Sequence, residues 1–247
     1  MRPTDREQAR EGDGGHRLPR PPFQPARTPL AKLRLLAEIA AFVSIVVADA
    51  WGFVPLTQTI LLLPLVWLMI RLRGERLSAI GFTRPRSGTG RAVALGLAVG
   101  IALELLAGLV TTPLISGLAG AEPDHAGLVA IRGDAARLAI FLALSWTLGA
   151  FGEEICFRGF LLDRVERLLG GGRAATIASL VLGSVLFGWG HTEQGIAGWV
   201  QEALSGLLLG ILFLRAGRNL VVPIAAHGAS NSLAFVLIYL GSYPGIG

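Results

Sequence analysis

The sequence predicts an all-α protein, a polytopic transmembrane helical bundle of about seven to eight spans behind a disordered basic tail. Of its 247 residues, 52% are hydrophobic and only 16% are charged, whereas soluble domains carry about 25% charged residues. Apolar stretches close to the about 20 residues that cross a bilayer core recur along the chain. We therefore expect a tail over residues 1–34 and one transmembrane domain over residues 35–247.

The tail differs sharply in composition from everything after it. Residues 1–34 contain eight Lys or Arg, four Asp or Glu and six Pro, with no apolar run. Such a segment buries too little apolar surface to fold alone, which predicts disorder. It does not resemble a signal peptide, because no apolar segment follows a short basic start.

Seven apolar stretches, joined by short connections, are the predicted spans. Two of them contain pairs of glycines four residues apart, Gly96 with Gly100 and Gly206 with Gly210. Such pairs let helix backbones approach closely in lipid, so we expect them at helix contacts. The stretches lie at approximately 35–53, 55–70, 92–116, 138–158, 174–190, 196–214 and 220–240.

The basic residues alternate between connections and predict the orientation. The tail and every second connection together hold 19 of the 22 Lys and Arg, which places them in the cytoplasm. The N-terminus is then cytoplasmic, and Arg-, Gly- and Ala-rich usage favours a bacterial plasma membrane. The opposite loops are mostly acidic and contain Glu122, Asp124, Arg132, Asp134 and Glu193.

Charge and cysteine content exclude several classes of protein. The net charge of +5 comes without interleaved basic and aromatic residues, so no nucleic-acid partner is expected. The basic tail is better suited to anionic membrane lipids. The single cysteine, Cys156, excludes a disulfide within the chain and a structural zinc site built from cysteines.

Polar residues inside apolar stretches are the best guide to function, because charges in spans are costly and usually functional. Glu153 and Glu154 are adjacent in the stretch FGEEICFRGF. Arg158 follows Glu154 at i+4, on the same helical face, which predicts an ion pair between them. Glu153 then points about 100° away along a helix with 3.6 residues per turn and is free to do chemistry.

The partners expected for Glu153 lie in the next apolar stretches. His191 follows Phe187 in FGWGH, and His227 precedes Asn231 by four residues in HGASN. A carboxylate with an imidazole can take a proton from water or hold a metal. A histidine with an asparagine can donate hydrogen bonds to an oxyanion. Together they predict a hydrolytic site for an acyl bond, with no serine or cysteine nucleophile.

Two other functions remain open on the residues alone. Each polar residue could serve helix packing, which would make the chain a non-proteolytic scaffold or regulator that retains the polar cluster. A small proton-coupled transporter could use Glu104, Glu153 and the two histidines, although no inverted repeat is evident. Gln201 and Glu202 either line the cavity of the motifs or bond between helices.

Three motifs in order resemble the CAAX-prenyl-protease and bacteriocin-processing (CPBP or Abi) family of intramembrane proteases. They are the family's Glu-Glu-x-x-x-Arg, Phe-x-x-x-His and His-x-x-x-Asn motifs. The match covers roughly residues 135–240, the predicted protease-like core. The motif positions are occupied here by Glu153, Glu154, Arg158, Phe187, His191, His227 and Asn231.

The resemblance implies an intramembrane endopeptidase that acts on a membrane-associated or lipidated protein or peptide. Glu153 and His191 would activate water, His227 and Asn231 would stabilise the oxyanion, and Glu154 with Arg158 would support the geometry. Family members are described as metalloproteases or as glutamate-dependent proteases, so a divalent metal such as zinc remains open, with Glu153, His191 and His227 as candidate ligands. No HExxH motif is present. The chain ends without a CAAX box, so prenyl-tail chemistry would act on another protein.

The predicted spans place two of these residues at different depths. Hydropathy puts Glu153 near the inner end of the fourth span and His191 near the outer end of the fifth. A shared site therefore predicts a tilted or broken helix around Phe151–Leu169, where glycines permit a break, or shifted span limits. A separate helix over this segment would give an eighth span.

Overall fold

A computed structural model of the protein describes residue 26 and residues 28–244. The described residues form helices and no strand, so the predicted all-α fold is confirmed. The predicted disorder of residues 1–25 and 27 lies outside the described residues. The seven long helices are α1 (Pro29–Ala50), α2 (Thr59–Leu72), α3 (Thr89–Ala119), α4 (Ala135–Leu168), α5 (Gly172–Trp189), α6 (Gly195–Arg215) and α7 (Val221–Tyr239).

Each long helix corresponds to one predicted apolar stretch. Within the described residues, five helical segments, those of α3 to α7, are long and apolar enough to cross a membrane. Helix α2 is apolar but has 14 residues. Helix α1 has 22 residues and carries Lys32, Arg34, Glu38 and Asp49. The protein is therefore built as an integral membrane protein.

The first helix begins earlier than the predicted limit of the tail. Helix α1 starts at Pro29, and the Thr28 hydroxyl accepts a hydrogen bond from the Ala31 amide at 3.2 Å. A threonine cap followed by proline at the first helical position is a common helix start. Residues 29–34 are thus helical, which corrects the boundary of 34 for the tail.

Helix α4 is unbroken, so the break or separate helix predicted at Phe151–Leu169 is wrong. It runs for 34 residues, ten residues beyond the predicted limit of 158. Its middle part, Ser145–Leu161, is a wide π-helix, with hydrogen bonds to the fifth rather than the fourth residue, a form often found at functional sites. Hydropathy missed the last ten residues because four of them are charged, although three of these four are buried.

Three of these charged residues, Asp163, Arg164 and Arg167, belong to an arginine cluster near the end of α4. Arg164 is fully buried and its guanidinium contacts Glu38 of α1 at 2.8 Å, Glu75 at 2.6 Å and the neighbouring Asp163. Arg167 contacts Glu75 and Asp163, each at 3.0 Å. Ion pairs with partners all around allow this end of the helix to be buried. The arginine cluster consists of Glu38, Arg73, Glu75, Asp163, Arg164 and Arg167.

Because α4 extends to Leu168, Glu153 and His191 no longer lie at different depths, as the predicted spans had implied. Glu153 lies 15 residues before Leu168, and Trp189 lies 17 residues after Gly172 at the start of α5. A short turn joins these two helices, so both positions lie a similar number of residues away from it. The shifted span limit therefore brings the Glu153 and His191 motifs to one level.

The glycine pairs lie at the helix contacts that frame the site. A Cβ on Gly96 would come within 2.5 Å of the Ala225 Cβ, and one on Gly100 would overlap the Ala226 carbonyl. Helices α3 and α7 therefore pack backbone to backbone. Gly206 of α6 lies against Phe187 of α5, where an added Cβ would be 3.2 Å from the ring. The packing role predicted for both pairs is confirmed.

Candidate active site

Glu154 is the centre of a buried polar network that joins α4 to α7. One carboxylate oxygen accepts from Arg158 at 2.8 Å and lies 3.0 Å from Nδ1 of His227. The predicted ion pair between Glu154 and Arg158 is therefore present. Because the carboxylate pairs with Arg158 and only accepts hydrogen bonds, Nδ1 of His227 carries the proton. This leaves Nε2 on the opposite edge of the ring.

Glu153 faces that opposite edge of His227. Its Oε2 lies 3.9 Å from Nε2 of the imidazole, and the side chain is about nine-tenths buried. The distance is too long for a direct hydrogen bond. The two adjacent carboxylates thus face the two ring nitrogens of His227. Glu154 is hydrogen-bonded to the ring, and Glu153 is not.

Phe187 lies between Arg158 of the first motif and His191 of its own motif. Its ring receives the Arg158 guanidinium at 4.4 Å and packs against the His191 ring with centroids 5.0 Å apart. Nδ1 of His191 lies 2.9 Å from the Phe187 carbonyl oxygen, which only accepts, so this nitrogen also carries a proton. Nε2 of His191 is then left without a hydrogen-bond partner among the described residues.

Asn231 lies one turn beyond His227 on α7 and is held by a residue that sequence reasoning missed. Its amide nitrogen donates to the Ser145 hydroxyl at 3.0 Å, at the point where α4 becomes a π-helix. Next to it, the Trp146 indole donates to Ser232 at 3.0 Å. These contacts join residues 86 positions apart, so no local spacing signals them.

A cavity of about 80 Å³ adjoins this site. Phe187, His227 and Asn231 line it, together with Gln201 and Glu202, while Glu153 and His191 are not among its lining residues. Gln201 also accepts a hydrogen bond from Thr111 at 2.9 Å, so it both lines the cavity and bonds between helices. The structure therefore brings the motif residues together, with only part of them facing this cavity.

Two titratable residues outside the membrane-spanning segments, His125 and Tyr243, line this cavity. Burial lowers the pKa of His125, and the carboxylates of Glu202, Asp124 and Glu122 oppose this effect. Burial and the charges of Glu104 and Glu202 raise the pKa of Tyr243 well above its ordinary value. Tyr243 therefore keeps its proton at neutral pH and can donate a hydrogen bond.

The candidate metal ligands do not form a metal-binding group in this arrangement. Within the described residues, no three or more His, Cys, Asp or Glu side chains are placed to hold a metal ion together. His227 uses one ring nitrogen for Glu154, and Nδ1 of His191 is used for the Phe187 carbonyl. Both histidines keep Nε2, and a metal-ligating histidine commonly holds its other ring nitrogen in such a bond, so a metal at Glu153, His191 and His227 stays a prediction.

Comparison with known families gives one match, over the same part of the chain. The family model described as type II CAAX prenyl endopeptidase, Rce1-like, matches residues 135–233, less than half of the chain. All three motifs fall inside this range. Neither a curated protein nor a solved structure matches the chain significantly. The Rce1-like endopeptidases are a peptidase family with membrane-embedded helices, and over residues 135–233 this chain matches that family, as its three motifs indicate.

Proposed function

We propose that this protein is an intramembrane endopeptidase that hydrolyses a peptide bond of a membrane-associated or lipidated protein or peptide. The observation that carries the proposal is the placement of Glu153 and Glu154 on the two nitrogens of His227. One carboxylate holds the imidazole and its proton, and the other remains available for acid–base chemistry. The match to the Rce1-like family supports the same reaction class.

In the proposed reaction, Glu153 takes a proton from a water molecule whose oxygen attacks the scissile carbonyl carbon. A buried carboxylate is an effective general base because its proton affinity rises with desolvation. The rings of His191 and His227 both pack against Phe187, and Nε2 of His191 would share the transferred proton. The carbonyl double-bond electrons move to oxygen and give a tetrahedral oxyanion.

His227 and Asn231 would stabilise this oxyanion. A protonated His227 donates from Nδ1 to Glu154 and from Nε2 to the oxyanion. Asn231 gives one N–H to Ser145 and keeps the second for the oxyanion. Donors fixed in advance are worth about 10²–10³-fold in rate each, because they need no reorganisation during the reaction.

Collapse of the intermediate completes hydrolysis. The carbonyl re-forms, the carbon–nitrogen bond breaks, and Glu153 returns its proton to the leaving nitrogen. The products are one peptide with a new carboxyl end and one with a new amine. Arg158 does not take part: it contacts Glu154, the Phe187 ring and the Gly206 carbonyl at 3.2 Å, and thus fixes the groups that do.

The experiment uses purified full-length protein in detergent with a bacterial membrane extract in ¹⁸O-labelled water. Mass spectrometry identifies new carboxyl ends that carry the label and that depend on the wild-type protein. We expect labelled ends with the wild type and none with Glu153→Gln or His227→Ala. Equal labelling in all three samples would remove the proposed function.

A further inference from the structure

The cavity beside His227 and Asn231 has an unusual lining for a protein this apolar. It lies between α3, α6 and α7 and extends to residues of the loops outside these helices, including Pro123 and Gln194. Twelve of its twenty lining residues are polar. The polar lining residues include Glu104, Glu202, His125, Ser230 and Tyr243.

Glu104 is the buried carboxylate of this cavity. It lies on α3 with 9% of its surface exposed, in the middle of the most apolar candidate span. Its two oxygens accept from the Ser230 hydroxyl at 2.7 Å and from the Tyr243 hydroxyl at 3.3 Å. Both partners are neutral donors, so they satisfy the hydrogen bonds of the carboxylate without balancing its charge.

Glu202 adds a second carboxylate to the same cavity. It lies on α6, and its charge interacts with that of Glu104. No Lys or Arg is among the described residues that line the cavity, and neither glutamate forms an ion pair with a described residue. Two like charges in a low dielectric repel each other and are costly to keep.

The position of the two carboxylates ties them to the reaction site. Ser230, which holds Glu104, immediately precedes Asn231 on α7, and Asn231 and His227 line the same cavity. His227 is nine-tenths buried, and its Nε2 makes no hydrogen bond with a described residue. A peptide held with its carbonyl at these two residues would place a neighbouring side chain beside Glu104 and Glu202.

We propose that this cavity is a specificity subsite, in which Glu104 and Glu202 bind a cationic side chain next to the scissile bond of the substrate. The proposal rests on the proposed endopeptidase function and adds the substrate class. The substrate then supplies the fixed positive charge that no Lys or Arg of the described lining provides, as a lysine ammonium or an arginine guanidinium. Neutral side chains would leave the two carboxylates uncompensated and would bind more weakly.

The test measures binding rather than turnover, so it does not depend on cleavage. The probes are peptides with a farnesylated cysteine, in which lysine occupies each of the three following positions in turn, and the same peptides with acetyl-lysine. Kd is measured on full-length Glu153→Gln protein in detergent. We expect at least one lysine peptide to bind about tenfold more tightly than its acetylated form, the effect of about 1.4 kcal/mol of charge recognition.

The glutamates are then removed one at a time in the same background. Glu104→Gln and Glu202→Gln should each bring the ratio of the two Kd values towards one, while Glu122→Gln, an acidic loop change outside the cavity lining, should keep the ratio. A ratio of one at all three positions before mutation, no binding of either peptide, or an unchanged ratio in both cavity variants would overturn the subsite.

Cleavage of the same peptides separates the two proposals. If wild type cleaves them and Glu153→Gln does not, while no charge preference is found, the endopeptidase stands and the cationic subsite fails. If the charge preference is found but Glu153→Gln cleaves as fast as wild type, the subsite stands as a binding site and the assigned chemistry fails.

Discussion

Buried and partly buried carboxylates have opposite surroundings in two regions of this protein. In the arginine cluster, Glu38, Glu75 and Asp163 all contact the guanidinium of Arg164. In the cavity, Glu104 accepts hydrogen bonds from hydroxyl groups only, and no Lys or Arg is among the described lining residues around Glu202. Carboxylates in the arginine cluster are paired with arginines of the protein, whereas those in the cavity have no arginine partner among the described residues and are proposed to bind the substrate.

The contrast separates structure from function. A carboxylate matched by arginine holds helices together, since removing either partner would leave a buried charge. An unmatched carboxylate costs stability and persists where a ligand or a reaction needs it. The site combines both arrangements in neighbouring residues, with Glu154 paired to Arg158 and Glu153 facing His227.

The largest expected effect is the loss of the arginine at the centre of the cluster. Arg164→Met should lower the free energy of unfolding by about 3–5 kcal/mol, because Glu38, Glu75 and Asp163 each lose one of two arginine partners at the buried centre of the cluster. The matched control is Arg137→Met, whose pair with Asp134 is 55% and 42% exposed and is worth about 0–1 kcal/mol. Both are measured by thermal unfolding in detergent. Equal effects would show that burial of the cluster does not matter.

A smaller loss is expected where α3 meets α7 and places Glu104. Gly100→Ala would push a methyl group into the Ala226 carbonyl, and overpacking of this kind costs about 1–3 kcal/mol. Gly90→Ala, on the same helix with no atom within 4 Å of the added Cβ, is the control. If the two variants unfold at one temperature, the close contact between α3 and α7 is absent in the protein.

The sequence predicted the last three helices within two residues, because glycines and arginines bound apolar runs in α5 and α6. The predicted end of α4 was wrong, because Asp163, Arg164 and Glu166 are buried but their charges lower the mean hydropathy to that of a loop. The partners of Arg164 lie on α1 and after α2, and Arg218, the partner of Glu166, lies after α6, too far along the chain for a local pattern. The motif residues were found by spacing and family resemblance, whereas Ser145 could be found only from the fold.

The arginine cluster should also make stability depend on pH in acid. Burial raises the pKa of Glu75, but the charges of Arg164 and Arg167 outweigh burial and hold the pKa below the ordinary value of 4.5. Because the folded pKa is lowered, Glu75 contributes stability above that ordinary value, and the contribution is lost as the pH falls through the folded pKa.

Unfolding temperatures of wild type and Glu75→Gln between pH 7 and pH 3 measure this contribution. The difference between the two proteins should be largest near neutral pH and should shrink in acid. A difference that does not change with pH would show that the Glu75 charge is not part of the cluster's stability.

The smallest effect on stability is expected in the cavity. Glu104→Gln keeps an acceptor for Ser230 or Tyr243 and leaves no arginine unpaired, so the free energy of unfolding should change by less than about 1 kcal/mol, the net worth of one hydrogen bond. Glu38→Gln, which takes a charge away from Arg73 and Arg164, should cost several times more. A larger loss from Glu104→Gln than from Glu38→Gln would reverse the contrast between the two regions.

The most direct test of the central claim compares the neighbouring glutamates in one experiment. Initial cleavage rate and melting temperature are measured for wild type, Glu153→Gln and Glu154→Gln, with a substrate identified by ¹⁸O labelling. We predict that Glu153→Gln loses about 10²-fold or more in rate, as for a general base, at an unchanged melting temperature, and that Glu154→Gln lowers the melting temperature. A Glu153→Gln protein that cleaves at the wild-type rate would contradict the account.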